Sequence, residues 1–319
     1  MFLYLYFVFR EVISLIYKES LWTEGLSHPL FVRQWLPEGK IRGMVQILHG
    51  MAEHSGRYDR LGRFLAENGY VAFCHDHRGH GYTCLAGETL GWFAEQDGWE
   101  VITRDLLQLG RMMREAYPEG RYILFGHSMG SMLASEAAIR EEAGIYDRFI
   151  LCGSPAPNPM VGGGIALAKA YCAIGKAKTT NETLYYLSIG KTSKIFKKDS
   201  SQNAWLTTDT THVRKYDEDP LCGFYFTSAG FRDLFTGMAR TRNKNWAVKT
   251  LCKPFLLISG ADDKIGNKGE GVLWLRDQLR AAGREVDCIL YEGKRHEILN
   301  ETDSDNVYTD ILSFISEEK

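Results

Sequence analysis

Tyr122-Ile123-Leu124-Phe125-Gly126-His127-Ser128-Met129-Gly130 runs directly into Ser131-Met132-Leu133-Ala134-Ser135-Glu136-Ala137-Ala138. An apolar run of strand character enters a glycine-flanked serine, and a helical pattern rich in small residues leaves it. Strand, sharp turn and helix form the setting in which G-x-S-x-G becomes a nucleophile elbow, with the serine hydroxyl exposed at the top of a sheet. In so tight a turn a Cβ at either flanking position would meet backbone, which is why glycine stands there. A chance Gly/Ser turn would need neither flank.

The elements on either side have the same character. Leu30–Trp35 reads as a strand, and Gly43–Leu48 and Tyr70–His75 read as strands buried on both faces. Leu61–Glu67 is helical and closes at Asn68-Gly69, a left-handed stop signal. Trp99–Tyr117 has apolar residues at helical spacing, and Phe149–Cys152 is a further strand. Strands alternating with helices across short loops predict a doubly wound, mostly parallel α/β sheet. The alternation lapses from about Pro157 to Arg240 and resumes with Pro254–Gly260, Val272–Ala281, Cys288–Tyr291 and Asn306–Ile315. An insertion of that length is usually functional. Residues 157–240 are read as a mainly helical cap, and residues 26–156 with 241–319 as the core.

Residues 1–25 form an apolar N-terminal extension, read as an accessory segment outside the core. Met1–Phe9 is unbroken apolar and aromatic, too short to span a bilayer and without the basic flank and cleavage site of a signal peptide. A helix packed on the domain, an upstream extension before a later start, and peripheral membrane contact through residues 1–17 are the three readings of it.

The 319 residues are 45% hydrophobic and 24% charged, with a formal net charge of −2. That balance gives no electrostatic reason to expect nucleic acid as a partner, and the short basic cluster Lys191–Lys198 reads as a solvated loop. The seven cysteines are scattered, with no C-x-x-C pair, which argues against a zinc site and for a reducing, cytoplasmic setting.

A serine hydroxyl needs a base within hydrogen-bond reach and a third group to orient that base. In this architecture the partners follow in the order serine, acid, histidine, in loops after the carboxyl ends of strands. After the cap the chain has one histidine, His296, just beyond the strand ending at Tyr291. Asp262-Asp263 directly follows the preceding strand, and spacing does not separate the two aspartates. Two backbone N–H groups must meet the developing oxyanion. The residue after the nucleophile, Met129, supplies one, and the loop His49-Gly50-Met51 supplies the other through Met51. His49 is read as a structural hydrogen-bonder, His127 as too constrained to act on its neighbour, and the histidines of His75–His80 as parts of a scaffold turn rather than metal ligands.

Five motifs in order carry a family resemblance. They are His49-Gly50-Met51-Ala52-Glu53-His54-Ser55-Gly56-Arg57-Tyr58, Asp76-His77-Arg78-Gly79-His80-Gly81, Gly126–Gly130, Ser259-Gly260-Ala261-Asp262-Asp263-Lys264-Ile265-Gly266 and His296-Glu297. Together with the cap segment Asp219–Gly223, they make the chain from about Leu26 onward resemble the monoacylglycerol lipase/lysophospholipase branch of the α/β-hydrolases, also labelled serine aminopeptidase S33. The resemblance implies an α/β-hydrolase fold and a serine hydrolase cleaving small-molecule acyl esters of glycerol or glycerophospholipid, with no metal and no organic cofactor. It also implies that Asp263 is the acid, although Lys264 stands where the family usually has proline. A short-chain carboxylesterase and an aminopeptidase-like hydrolase use the same site, while a catalytically silent binding protein would normally lack one of the three residues.

Overall fold

The structure is a computed structural model, and it describes residues 15–190 and 201–317. The apolar run Met1–Phe9 and the basic cluster Lys191–Lys198 lie outside the described residues.

Eight strands form one sheet. They are β1 (Leu15–Trp22), β2 (Leu30–Pro37), β3 (Gly43–Leu48), β4 (Tyr70–His75), β5 (Arg121–His127), β6 (Arg148–Cys152), β7 (Phe255–Gly260) and β8 (Val286–Tyr291). Their order across the sheet is β1-β2-β4-β3-β5-β6-β7-β8. The β1/β2 and β2/β4 pairs are antiparallel and the remaining pairs parallel. In the central strands the two-residue period sends alternate apolar side chains to opposite faces. Tyr122, Leu124, Phe149, Leu151 and Leu257 join the core under the helices Gly98–Ala116 and Glu270–Ala281. Ile123, Phe125, Ile150, Cys152 and Ile258 join the core under Asp59–Glu67 and Asp305–Ser316.

One sequence expectation is corrected here. Residues 15–22, assigned to an extension outside the core, form the edge strand β1, in register from Leu15 opposite Pro37 to Trp22 opposite Leu30. The strand leaves most of its side chains exposed on both faces, so neither period-two alternation nor a continuous apolar run marked it.

Between β6 and β7 the described residues add no strand to the sheet. The longer helices there are Val161–Tyr171, Thr210–Glu218 and Ser228–Thr241. They lie over the carboxyl edge of the sheet, where the loops after β3, β5, β7 and β8 bring Met51, Ser128, Asp263 and His296 together. No helix among the described residues is long and apolar enough to cross a membrane.

The central strand β3 carries one buried amide, Gln46. Its Oε1 accepts from the Tyr146 and Tyr122 hydroxyls at 2.6 and 3.0 Å, and its Nε2 donates to the Leu106 carbonyl at 2.9 Å. Gln46→Leu strands these groups in the core and is expected to cost about 1–3 kcal/mol, read as a lower urea midpoint. Adding Tyr146→Phe should recover part of the loss, because it removes an orphaned hydroxyl.

Candidate active site

Ser128 sits between the end of β5 and the helix Met129–Ala137 with φ 53° and ψ −115°. Such a conformation costs a non-glycine residue roughly 1–3 kcal/mol and persists only where its surroundings enforce it. The enforcement is visible on both sides. A Cβ on Gly126 would lie 2.2 Å from the Gly130 carbonyl oxygen, and one on Gly130 would lie 2.1 Å from the Leu48 carbonyl oxygen. The Ser128 amide donates to the Cys152 carbonyl at 3.0 Å, extending the β5/β6 ladder by one rung past the strand end.

Of the two aspartates after β7, Asp262 points to solvent and Asp263 is fully buried. Asp263 Oδ2 accepts from His296 Nδ1 at 2.9 Å. The carboxylate also accepts from the Ile265 amide at 2.8 Å and the Ser259 hydroxyl at 3.1 Å. Burial raises its pKa, and the His296 ring with the Gly266 and Ile265 amides more than offsets that, so the net shift is downward. For His296 burial acts to lower the pKa, and the Asp263 carboxylate reverses the sign, leaving it above the ordinary 6.5. Holding Nδ1–H on Asp263 fixes the tautomer and leaves Nε2 as the basic nitrogen. His296 and Ser128 line the same small cavity. The two loops approach closely because residue 260 is glycine, since a Cβ there would fall 2.1 Å from the Lys294 carbonyl oxygen.

Met51 and Met129 both border the cavity that Ser128 opens into. Met129 is the first residue of its helix, so its N–H is among those left without an intrahelical acceptor. Next to Met51, Ala52 has φ 53°, and its peptide groups are gripped from two directions. Its carbonyl accepts from the cap, from Gly223 N–H at 2.9 Å and the Tyr216 hydroxyl at 3.0 Å. Its amide donates to His80 Nε2 at 3.3 Å. His49 Nε2 accepts from the His77 amide at 2.9 Å and Nδ1 donates to the Gly50 carbonyl at 2.8 Å. Burial pushes the pKa of His49, His75, His77 and His80 down, so these rings are neutral props for the loop. His127 is likewise pushed down to about 3, first by burial and then by the neighbouring His296.

A charged strut joins the Met51 loop to the His296 loop. Arg57 forms a two-pronged pair with Glu297 at 2.6 and 2.7 Å and also binds Glu53, which takes the Gly50 amide and the Tyr58 hydroxyl. The cap contributes Trp205, whose ring centroid lies 5.3 Å from that of His296. Glu53, Arg57 and Glu297 stand inside motifs quoted above, so their charge was a usable signal. Tyr216 and Trp205 carried none, since their importance comes from which loop they reach, while Gly223 ends the quoted cap segment.

From Ser128 a cavity of about 420 Å³ extends beneath the cap, walled by Val161, Leu167, Leu187, Leu234, Phe235 and Met238. A second, narrow cavity of about 60 Å³ also reaches Ser128 and His296 and is lined by Trp205, Leu206, Tyr216 and Phe224 among others.

Residues 39–303 match the family described as serine aminopeptidase, S33. The chain belongs to that family. Human monoglyceride lipase is 30% identical over 295 residues, covering 90% of this chain and 87% of the relative. Monoacylglycerol lipase of Mycolicibacterium smegmatis is 26% identical over 88% of this chain and 90% of its own length. A thermostable carboxyl esterase from Bacillus coagulans, solved with glycerol, superposes with a TM-score of 0.87 at 28% identity, covering 95% of this chain and 98% of that one. Monoglyceride lipase of Saccharomyces cerevisiae shares the fold, with a TM-score of 0.73 at 22% identity over 98% of each chain. The sheet is that of an α/β-hydrolase, and this S33 member is a lipase-like serine hydrolase of carboxylic esters.

Two outcomes test the aspartate and histidine geometry. Asp263→Asn should lower kcat by roughly 10³- to 10⁴-fold on a p-nitrophenyl ester, while Asp262→Asn should leave it close to wild type; the reverse ranking would move the acid by one residue. Because protonated His296 has no basic nitrogen to offer, kcat/KM should rise with pH through a midpoint above 6.5. In Asp263→Asn burial acts on His296 without its counter-charge, so the residual activity should show a midpoint moved toward acid.

Proposed function

We propose that the chain hydrolyses monoacylglycerol or lysophospholipid through an acyl-enzyme on Ser128, with His296 as base and Asp263 as its orienting acid. His296 Nε2 takes the Ser128 hydroxyl proton as Oγ attacks the ester carbonyl carbon. The carbonyl oxygen becomes an oxyanion received by the Met51 and Met129 amides. As the tetrahedral species collapses, the C–O bond to the alcohol breaks and His296 returns its proton to the departing oxygen. Water, deprotonated by His296, then attacks the acyl-enzyme, and the fatty acid leaves with Ser128 restored. Asp263 stays ionised throughout and stabilises the imidazolium.

The observation that carries the lipid reading is the larger cavity that opens from Ser128, which is walled mostly by apolar cap side chains and is roomy enough for an acyl chain. The names of the relatives point the same way. An aminopeptidase-like activity would need a carboxylate to hold the substrate amine, and among the described residues none lines the larger cavity. A short-chain carboxylesterase would leave most of that cavity unfilled. Peripheral contact with a lipid surface through residues 1–17 belongs to the same proposal, and within that stretch Ile16 and Tyr17 stand exposed. The seven cysteines are unpaired, in keeping with a cytoplasmic location.

A substrate panel decides between the readings. Long-chain monoacylglycerol and lysophospholipid should be turned over with higher kcat/KM than short-chain esters, and aminoacyl amides should be poor substrates. A preference for acetyl or butyryl esters would favour the carboxylesterase, and one for aminoacyl amides the peptidase. Ser128→Ala should lower kcat by roughly 10⁴-fold or more on every substrate, with an unchanged circular dichroism spectrum.

A further inference from the structure

Arg242 is a buried cation with no anion beside it among the described residues. It follows the last cap helix, Ser228–Thr241, and only 6% of its surface is exposed. Its guanidinium donates from Nε to the Pro155 carbonyl at 3.1 Å, from Nη1 to the Ser135 hydroxyl and the Thr241 carbonyl, both at 3.2 Å, and from Nη2 to the Ser131 hydroxyl at 3.4 Å. None of these acceptors is charged. Burial alone moves its pKa, down to about 9, whereas the paired Arg140 is pushed upward by Glu100. Enclosing a lone charge costs several kcal/mol, so a position serving packing alone would favour an apolar side chain.

The acceptors show where the charge is directed. Ser131 Oγ takes hydrogen bonds from Arg242 and, at 3.0 Å, from Ser154, and donates its own proton to the Ser128 carbonyl at 2.6 Å. One donation and two acceptances use the hydroxyl's full capacity, so its proton is committed to that carbonyl. The Ser128 carbonyl and the Met129 N–H belong to one planar peptide unit. Whatever fixes the carbonyl fixes the direction of the N–H, and a strong hydrogen bond to the oxygen makes the N–H a better donor. The same carbonyl also accepts from the Ser131 and Met132 amides at 2.9 and 3.3 Å. Ser131 is the one side chain in that set, and Arg242 is the one cation behind it.

We propose that Arg242, acting through the Ser131 hydroxyl, is a positioning residue that aligns and polarises the Ser128–Met129 peptide, so that the Met129 N–H is preset for the oxyanion. The assignment rests on the serine esterase mechanism above. It couples the C-terminal end of the cap to the oxyanion hole by a route separate from the Tyr216 and Gly223 contacts with Ala52. Because neither Arg242 nor Ser131 touches substrate in this account, ground-state binding is unaffected and the deficit falls on the transition state.

The test measures kcat and KM on a p-nitrophenyl ester for wild type, Ser131→Ala, Arg242→Met, Arg242→Lys and the Ser131→Ala/Arg242→Met pair. It also measures inhibition by a trifluoromethyl ketone, whose hemiketal adduct with Ser128 carries an oxyanion that mimics the tetrahedral state. Ser131→Ala should lower kcat roughly 10- to 100-fold with KM nearly unchanged, and inhibitor affinity should fall in parallel with kcat/KM. Arg242→Lys should keep more activity than Arg242→Met, and the double variant should be no worse than the weaker single. If Arg242→Met does not fold, Ser131→Ala carries the test. Undiminished kcat in folded Ser131→Ala, or a loss confined to KM or to thermal stability, would overturn the proposal alone. A wild type that does not hydrolyse the ester would overturn the underlying mechanism, and this assignment with it.

Discussion

Ser128 is held with a positive φ between two glycines, and the rest of the site is arranged around that strained turn. The strain places the hydroxyl above the carboxyl edge of the sheet and starts a helix at the next residue, so the serine and the Met129 N–H arise from one backbone event. Local sequence does not maintain such a turn unaided. The Cys152 carbonyl, the close backbone of Leu48 and the Ser131 hydroxyl each limit its relaxation. Each belongs to a different element, so two strands of the sheet and the elbow helix contribute jointly to the geometry of one residue.

The core fold was legible because the central strands are buried on both faces and the helices between them are amphipathic. Leu48, Phe125, Cys152 and Ile258 end apolar runs just before the polar loops that hold the site. The edge strand β1 was not legible. Its sequence, Leu-Ile-Tyr-Lys-Glu-Ser-Leu-Trp, is held by backbone pairing to β2 rather than by a buried face. At the site, the chain order of Ser128, the aspartate pair and His296 could be read and the resemblance pointed to Asp263, whereas spacing could not tell which aspartate is buried against His296. A side chain turned outward and one turned inward look alike in sequence. The cap residues Trp205 and Tyr216 escaped notice because their partners lie roughly 90 to 160 residues away.

The histidines show how environment assigns roles that composition leaves open. Five of them, His49, His75, His77, His80 and His127, are buried and pushed toward neutrality. The first four brace loops as uncharged donors and acceptors. His296 is as deeply buried, yet its pKa moves in the opposite direction because Asp263 faces it. One carboxylate thus separates a ring whose affinity for a proton is raised from rings that burial keeps neutral.

The cap is fastened to the loop that carries His296. Arg295 reaches the Ala204 and Thr207 carbonyls, the Glu297 amide donates to the Leu206 carbonyl at 2.7 Å, and Glu301 receives the Thr208 amide at 3.0 Å. This portion of the cap therefore supplies the outer half of the socket in which His296 sits. As a consequence the two parts are poorly separable as modules. A lid transplanted from another hydrolase would have to bring its own version of Ala204–Thr208, and variation in substrate scope is better accommodated around Val161–Leu167, which line the cavity without touching the histidine loop.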